Sequence, residues 1–391
     1  MTSTAAARRA YDGPALFSFG FRPFFFFGAI WSAAVVPLWL FSYFHGGSAA
    51  LTREWHIHEM IFGFLGAVIA GFLTTAVPNW TGRMPVIGAP LGVLVALWVL
   101  GRVAMLYQEF LGPMASVLDS LFLLAFAAVI WREVLSGRNW RNLPVCALVT
   151  LFALANVAFH LPKAAVDDLG VRLALGAATV LIGLIGGRIV PSFTRNWMKA
   201  RSLTPEPSAF GHVDRLALGL TVVGAGLWVV APQTALTGGA LALAGVAHLA
   251  RLSRWRGWRA APEPLVWILH LGYGWLGVGL LLLGAAALDP GLVSRSVGIH
   301  ALTAGAVGVM TLAVMTRATR GHTGRPLVAG SATTAIYLAI NTAALLRVAA
   351  PFSGASQPLL LTASGLVWSL AFGGFALAYG RMLVMPRPAI A

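Results

Sequence analysis

The sequence predicts an all-α membrane protein that crosses the bilayer twelve times. Of its 391 residues, 58% are apolar and only 10% are charged, whereas soluble domains are about a quarter charged. Twelve spans of about 20 residues use about three-fifths of the chain, which matches the apolar fraction. The 44 glycines and 14 tryptophans suit close helix contacts and interfacial belts. We therefore expect a single transmembrane domain over residues 1–391.

Apolar stretches place the twelve helices along the chain. They cover residues 24–44, 57–77, 86–107, 113–135, 143–162, 170–190, 213–231, 233–251, 264–288, 296–318, 326–350 and 358–383. The amino terminus lacks a clean signal-peptide cleavage pattern, so the first apolar stretch is interpreted as a retained span. The longest polar stretch, 195–215, is expected to be a cytoplasmic linker.

The basic residues predict the orientation of these spans. Sorted by membrane side, 21 lysines and arginines fall on the side of the amino terminus and 6 on the other. The positive-inside rule then puts both termini in the cytoplasm. The membrane topology thus accounts for the formal net charge of +15, and no nucleic-acid partner is expected. Residues 251–259 are expected to anchor the chain on anionic lipid.

Two segments indicate an internal repeat. Residues 58–83 align without a gap to residues 300–325, an offset of 242, with 8 of 26 positions identical. His58 aligns with His300, and Arg83 aligns with Arg325. A weaker echo near Pro191 would extend the repeat to three units of four helices. The alternative is that membrane helices share glycine and alanine by composition.

The single cysteine, Cys146, limits the cofactors. It excludes internal disulfides, cysteine-rich zinc sites, iron–sulfur clusters and the attachment motif of c-type haem. Any metal must be held by histidine, methionine, carboxylate or carbonyl oxygen, and a haem is expected to be b-type.

Four histidines and a glutamate are expected at one depth, on the periplasmic side. His56, His58 and Glu59 begin span two, His160 ends span five, and His300 begins span ten. Imidazole at this depth suits haem iron, copper or zinc. The repeat-related His58 and His300 could clamp a haem, whereas His56 and His58 point about 200° apart, so one of them faces elsewhere. The alternative is that each histidine merely hydrogen-bonds across helices.

A second group of candidates lies at the cytoplasmic ends of the spans. Its basic members are expected to pair haem propionates or another anion, unless they form an ordinary positive collar. They are Arg188, Arg195, Arg317, His322 and Arg325. His270, near the start of span nine, is a candidate for a second metal or haem site.

Five sequence motifs resemble those of the NnrS family. They are residues 21–25 (FRPFF), 55–64 (WHIHEMIFGF), 78–82 (PNWTG), 186–188 (GGR) with 193–196 (FTRN), and 315–318 (MTRA) with 321–326 (GHTGRP). The resemblance implies a haem- and copper-containing protein of the bacterial inner membrane, acting in denitrification and nitric-oxide stress. The layout also looks like the catalytic subunit of haem–copper oxidases and nitric-oxide reductases, in which His58 and His300 would be axial ligands. Span six lacks that superfamily's copper-site histidine, and span ten lacks its paired histidines.

These features lead to two hypotheses of function. The first is a nitric-oxide reductase-like oxidoreductase, in which His160 or His56 holds a second metal, Glu59 relays protons, and a donor such as quinol supplies electrons. The second is a non-enzymatic carrier, sensor or exporter of haem or metal that protects iron pools from nitric oxide. An assembly factor without bound haem is a third interpretation.

Overall fold

A computed structural model describes residues 11–47, 50–162 and 168–387. This part of the chain contains twelve helices long and apolar enough to cross a membrane. In chain order, α1 to α12 are Phe21–His45, Arg53–Thr81, Ala89–Leu106, Pro113–Ser136, Trp140–Phe159, Leu169–Lys199, His212–Val230, Ala235–Ser253, Pro264–Leu288, Arg295–His322, Ser331–Phe352 and Gly354–Val384. The all-α fold with twelve spans is therefore confirmed. The orientation stays a prediction, and Arg8, Arg9 and Lys163, which contribute to it, lie outside the described residues.

Helix α6 is longer than its apolar stretch indicates. Val190, Thr194, Trp197 and Met198 are buried at helical spacing, so one face of the helix stays packed beyond Pro191. The segment between α6 and α7 is therefore 200–211, shorter at both ends than the expected linker 195–215.

The chain divides into two compact units, and each is described by itself. Unit 1 comprises Met1–Ala174, Ala318–Pro326 and Phe375–Ala391, and unit 2 comprises Leu175–Arg317 and Leu327–Gly374. Three of the four boundaries fall inside α6, α10 and α12, and the fourth lies between α10 and α11. The single domain over residues 1–391 stays a prediction.

Three helices contain π-helical segments. These are Glu59–Leu65 in α2, Ile182–Gly186 in α6 and Ala301–Val307 in α10. The first and third begin directly after His58 and His300, and so they share the 242-residue offset of the aligned sequences. Such segments are rare and occur often at functional sites. The repeat itself stays a sequence-based prediction.

Glycines allow α8 and α9 to pack closely within unit 2. An ideal Cβ on Gly238 would lie 2.9 Å from the backbone oxygen of Gly284, and one on Gly245 would lie 2.8 Å from that of Gly277. Small residues at such contacts let membrane helices approach each other. This interface explains part of the high glycine content.

Replacing Gly238 with alanine is expected to destabilise the protein by about 1–3 kcal/mol, the usual range for overpacking. The added Cβ would lie 2.6 Å from Cγ of Leu288. Gly239→Ala is the matched control, because nothing lies within 4 Å of its added Cβ and alanine favours a helix. Thermal unfolding in one detergent compares the two, and an unchanged or raised Tm for Gly238→Ala would contradict the prediction.

Candidate metal centre

Side chains of three helices meet in the interior of unit 1. His58 lies on α2 and Asp119 on α4, while His160 caps the end of α5. Oδ2 of Asp119 is 2.9 Å from Nε2 of His58 and 3.0 Å from Nε2 of His160. His58 and Asp119 are buried, and the His160 side chain is 10% exposed. We call these three residues the metal cluster.

Asn156 completes the contacts of the cluster. Its Nδ2 donates to Oδ2 of Asp119 at 2.8 Å, and its Oδ1 lies 3.1 Å from Nε2 of His58. Because Asn156 lies one turn before His160 on α5, one helix supplies both groups. Oδ2 of Asp119 thus faces three nitrogen atoms.

Both ring nitrogens of His58 face carboxylate oxygens. Nδ1 lies 3.0 Å from Oε1 of Glu59, while Nε2 faces Asp119. A neutral imidazole carries only one N–H, so it can donate to only one of the two carboxylates. The second contact requires either an imidazolium or a cation at Nε2.

Arg102 joins the two carboxylates around His58. Its Nη1 donates to Oε2 of Glu59 at 2.6 Å, and its Nη2 donates to Oδ1 of Asp119. Nε1 of Trp31 also donates to Oε2 of Glu59, at 2.7 Å. Two carboxylates and one guanidinium leave one negative charge in excess, which either an imidazolium of His58 or a bound metal cation would balance.

Two glycines make room for this ion-pair network. A Cβ on Gly63 would collide with Nη1 of Arg102, and one on Gly101 would lie 2.9 Å from Oδ1 of Asp119. Gly63 belongs to the π-helical segment, and its carbonyl accepts a hydrogen bond of 2.9 Å from Nε1 of Trp98. The irregular helix is therefore held by a side chain beside the network.

The three residues of the metal cluster fit a metal ion. One ligand atom from each lies within 4.8 Å of the others. Metal bonds of about 2.1 Å at right angles separate neighbouring ligand atoms by about 3 Å, close to the distances to Asp119. A carboxylate that accepts the other N–H of a ligating histidine is a common second contact in metal sites, and Glu59 is placed to do this. Two histidines and a carboxylate suit iron, copper or zinc.

Phenylalanine rings cover the cluster on one side. The rings of Phe62 and Phe159 each lie 5.2 Å from that of His58, and Phe152 lies 5.5 Å from Phe62. The cluster therefore has an apolar wall on this side.

The structure brings together three of the sequence-predicted site residues, His58, Glu59 and His160. His56 points elsewhere and stacks on Trp39, with ring centroids 4.2 Å apart. The two histidines therefore face different neighbours, as expected from their positions around the helix, and His58 is the one in the cluster.

The sequence-based prediction missed Arg102, Asp119 and Asn156. Each is a polar residue inside an apolar span, and ionisable groups in such spans are usually functional or paired. That signal was present at Asp119, inside span four. No motif surrounds it, however, and its partners come from helices distant in sequence.

Both ring nitrogens of His58, one of the two expected haem ligands, contact protein groups, and the ring is fully buried. Nδ1 of His300 donates to the backbone oxygen of Ser296 at 2.7 Å. His270 donates from Nε2 to Thr194 at 2.8 Å, which leaves the lone pair on Nδ1. The clamp of one haem by His58 and His300 stays a prediction.

The candidates for propionate binding differ in their surroundings. Arg195 pairs with Glu206 of the linker at 3.2 Å, and the Arg317 guanidinium lies 4.1 Å from the ring centroid of Phe193. Arg188 is exposed and lies within α6 rather than at its end. His322 packs near Phe21, and Arg325 is considered below.

A second buried polar network lies in unit 2. His248 is fully buried, with Nδ1 2.8 Å from the Tyr273 hydroxyl. Its Nε2 lies 2.7 Å from Oγ1 of Thr221, and Arg251 donates to both Tyr273 and Asp214. One neutral tautomer of His248 satisfies every contact, so this network needs no metal.

Removing His160 is expected to abolish stoichiometric binding of copper, iron or zinc. His160→Ala removes one of three ligands at the partly exposed edge of the cluster, where folding is least affected. The His56→Ala variant is the control, because it removes a nearby histidine outside the cluster. Metal content of the purified, metal-loaded proteins measures the effect, and equal content in both variants would refute the assignment.

Glu59→Gln is expected to weaken metal binding about 10–100-fold while leaving all three ligands in place. The amide would present a donor to a site that now accepts from His58, Arg102 and Trp31. Glu54→Gln, on the same helix but outside the cluster, is the control. Competition with a chelator gives both affinities; equal values would mean that Glu59 does not orient His58.

A family model described as NnrS protein matches residues 15–387, a range that contains the whole metal cluster. A search of curated proteins finds no match. Because the matched range is nearly the whole chain, the chain belongs to the NnrS family.

Proposed function

We propose that this protein acts on nitric oxide at a metal ion held by His58, Asp119 and His160. Membership of the NnrS family suggests a role in the response to nitric oxide. The observation that carries the proposal is the metal cluster itself, where excess negative charge meets two imidazoles. Nitric oxide is small, neutral and lipid-soluble, and the phenylalanine wall beside the cluster suits such a ligand.

The reaction we favour is reduction. Two molecules of nitric oxide, two protons and two electrons give nitrous oxide and water, with a quinol-class donor supplying the electrons. A bound copper or iron ion would bind nitric oxide and transfer those electrons. Zinc fits the ligands but has no redox chemistry.

The protein residues would hold the metal and exclude water. Glu59 fixes the tautomer of His58 by accepting from Nδ1, which directs the Nε2 lone pair toward the metal. Arg102 keeps both carboxylates in position and reduces their repulsion. Because Glu59 already accepts from Arg102 and Trp31, these contacts support a positioning role more than the proton relay expected from sequence.

Haem is a further component of the proposal, as the family resemblance implies. Its support in the residues is His270 in unit 2, because Thr194 donates to Val190 and therefore accepts from Nε2 of His270, which leaves a lone pair on Nδ1. The family resemblance implies the bacterial inner membrane, and the basic asymmetry of the sequence supports an amino terminus in the cytoplasm. The metal cluster would then lie near the periplasmic side.

Metal-loaded protein supplied with a reduced quinol is expected to consume nitric oxide and release nitrous oxide. Asp119→Asn and His160→Ala should abolish consumption, and His56→Ala should retain it. A nitric-oxide electrode and gas chromatography measure the two gases. Consumption unchanged in Asp119→Asn would exclude this centre. Transport of haem or metal by reconstituted vesicles without consumption would support the carrier alternative.

A further inference from the structure

A group of arginines gathers at one membrane edge of unit 1. Arg22 lies at the start of α1, Arg325 follows the end of α10, and Arg387 follows the end of α12. Since α1 begins where the other two helices end, all three residues lie on the same side of the membrane. We call them the arginine site.

Arg22 is deeply buried for a charged residue, with 4% of its surface exposed. Its Nη1 donates to the backbone oxygens of Met382, Leu383 and Met385 at 3.2, 2.9 and 2.8 Å. These bonds satisfy carbonyls that the end of α12 leaves without partners. Nε of Arg22 is buried and has no hydrogen-bond partner. The hydrogen bonds to the end of α12 therefore leave one nitrogen of the Arg22 guanidinium without a partner.

Arg325 adds a second unpaired donor. Its Nη1 is buried without a hydrogen-bond partner, and its positive charge repels that of Arg22. Arg387 contacts the same turn, because a Cβ on Gly324 would collide with its guanidinium. Among residues 11–47, 50–162 and 168–387, no carboxylate forms an ion pair with any of the three arginines. Buried cations without a counter-charge are costly, so the arrangement favours an anion.

The surroundings match the level of lipid headgroups. The Phe21 ring lies 5.7 Å from the Arg22 guanidinium carbon and 5.4 Å from the ring centroid of His322. Leu377, two turns before the end of α12, is 87% exposed and faces away from the protein interior. Positive donors therefore adjoin apolar surface at the edge of a span.

We propose that the arginine site binds a phosphate group at this membrane edge. Guanidinium groups match phosphate oxygens in geometry and retain their charge in buried positions. The phosphate belongs either to an anionic phospholipid headgroup or to a soluble phosphate, and both offer the same oxygens. This site is independent of the metal cluster and of action on nitric oxide.

The test uses the full-length protein in a zwitterionic detergent with two probes. Binding of phosphatidylglycerol against phosphatidylcholine is measured by native mass spectrometry, and binding of inorganic phosphate by calorimetry. Arg325→Gln should weaken the affinity for the probe that binds by about tenfold or more, because it removes about one charge-assisted hydrogen bond. Arg83→Gln is the matched control, because Arg83 follows the same Thr-Gly pair and is exposed.

The outcomes separate the sources of phosphate. A preference for phosphatidylglycerol that is lost in Arg325→Gln identifies a lipid headgroup, whereas phosphate binding without a lipid preference identifies a soluble ligand. Equal affinities in Arg325→Gln and Arg83→Gln, or no binding of either probe by the unmodified protein, would overturn the site. If Arg325→Gln misfolds, Arg387→Gln replaces it, since Arg387 lies beyond the last spanning helix and should also weaken binding.

Discussion

The bridge from Arg102 to Glu59 and Asp119 is the interaction on which the metal cluster depends. Two carboxylates in an apolar interior repel each other, and a guanidinium that donates to both makes their burial tolerable. The bridge fixes α2, α3 and α4 around His58, and Gly63 and Gly101 provide its space. An imidazolium of His58 or a bound cation must balance the remaining negative charge, and this makes the site suited to a metal cation.

The buried network of unit 2 shows how similar residue types can lead to different chemistry. There, His248 meets a hydroxyl on each ring nitrogen, and a hydroxyl can donate or accept. One neutral tautomer therefore completes the network. Asp214 is paired by Arg251 and Arg254, so it leaves no excess negative charge. His58 instead meets carboxylates, which only accept when ionised. The partners of each histidine, rather than the residue type, decide whether a metal fits.

The π-helical segments connect helix irregularity to the position of the histidines. Each extra residue rotates the helix that follows, so the residues before and after the segment face directions that a regular helix would not combine. In α2, Glu59 and Phe62 belong to the segment itself and both contact His58, while Gly63 leaves space for Arg102. In α10, the corresponding segment follows His300 directly. The shared 242-residue spacing relates the two irregularities to the two aligned segments of sequence.

The sequence by itself determined the membrane class, the twelve spans and the prominence of His58, Glu59 and His160. Hydropathy and helical spacing are local, so they appear directly in the order of residues. Only the tertiary structure decided that Asp119, Asn156 and Arg102 complete the cluster, because these residues come from three other parts of the chain. It also separated His56 from His58 and left Arg22 beside Arg325. Contacts between distant helices depend on packing, which no single span of sequence records.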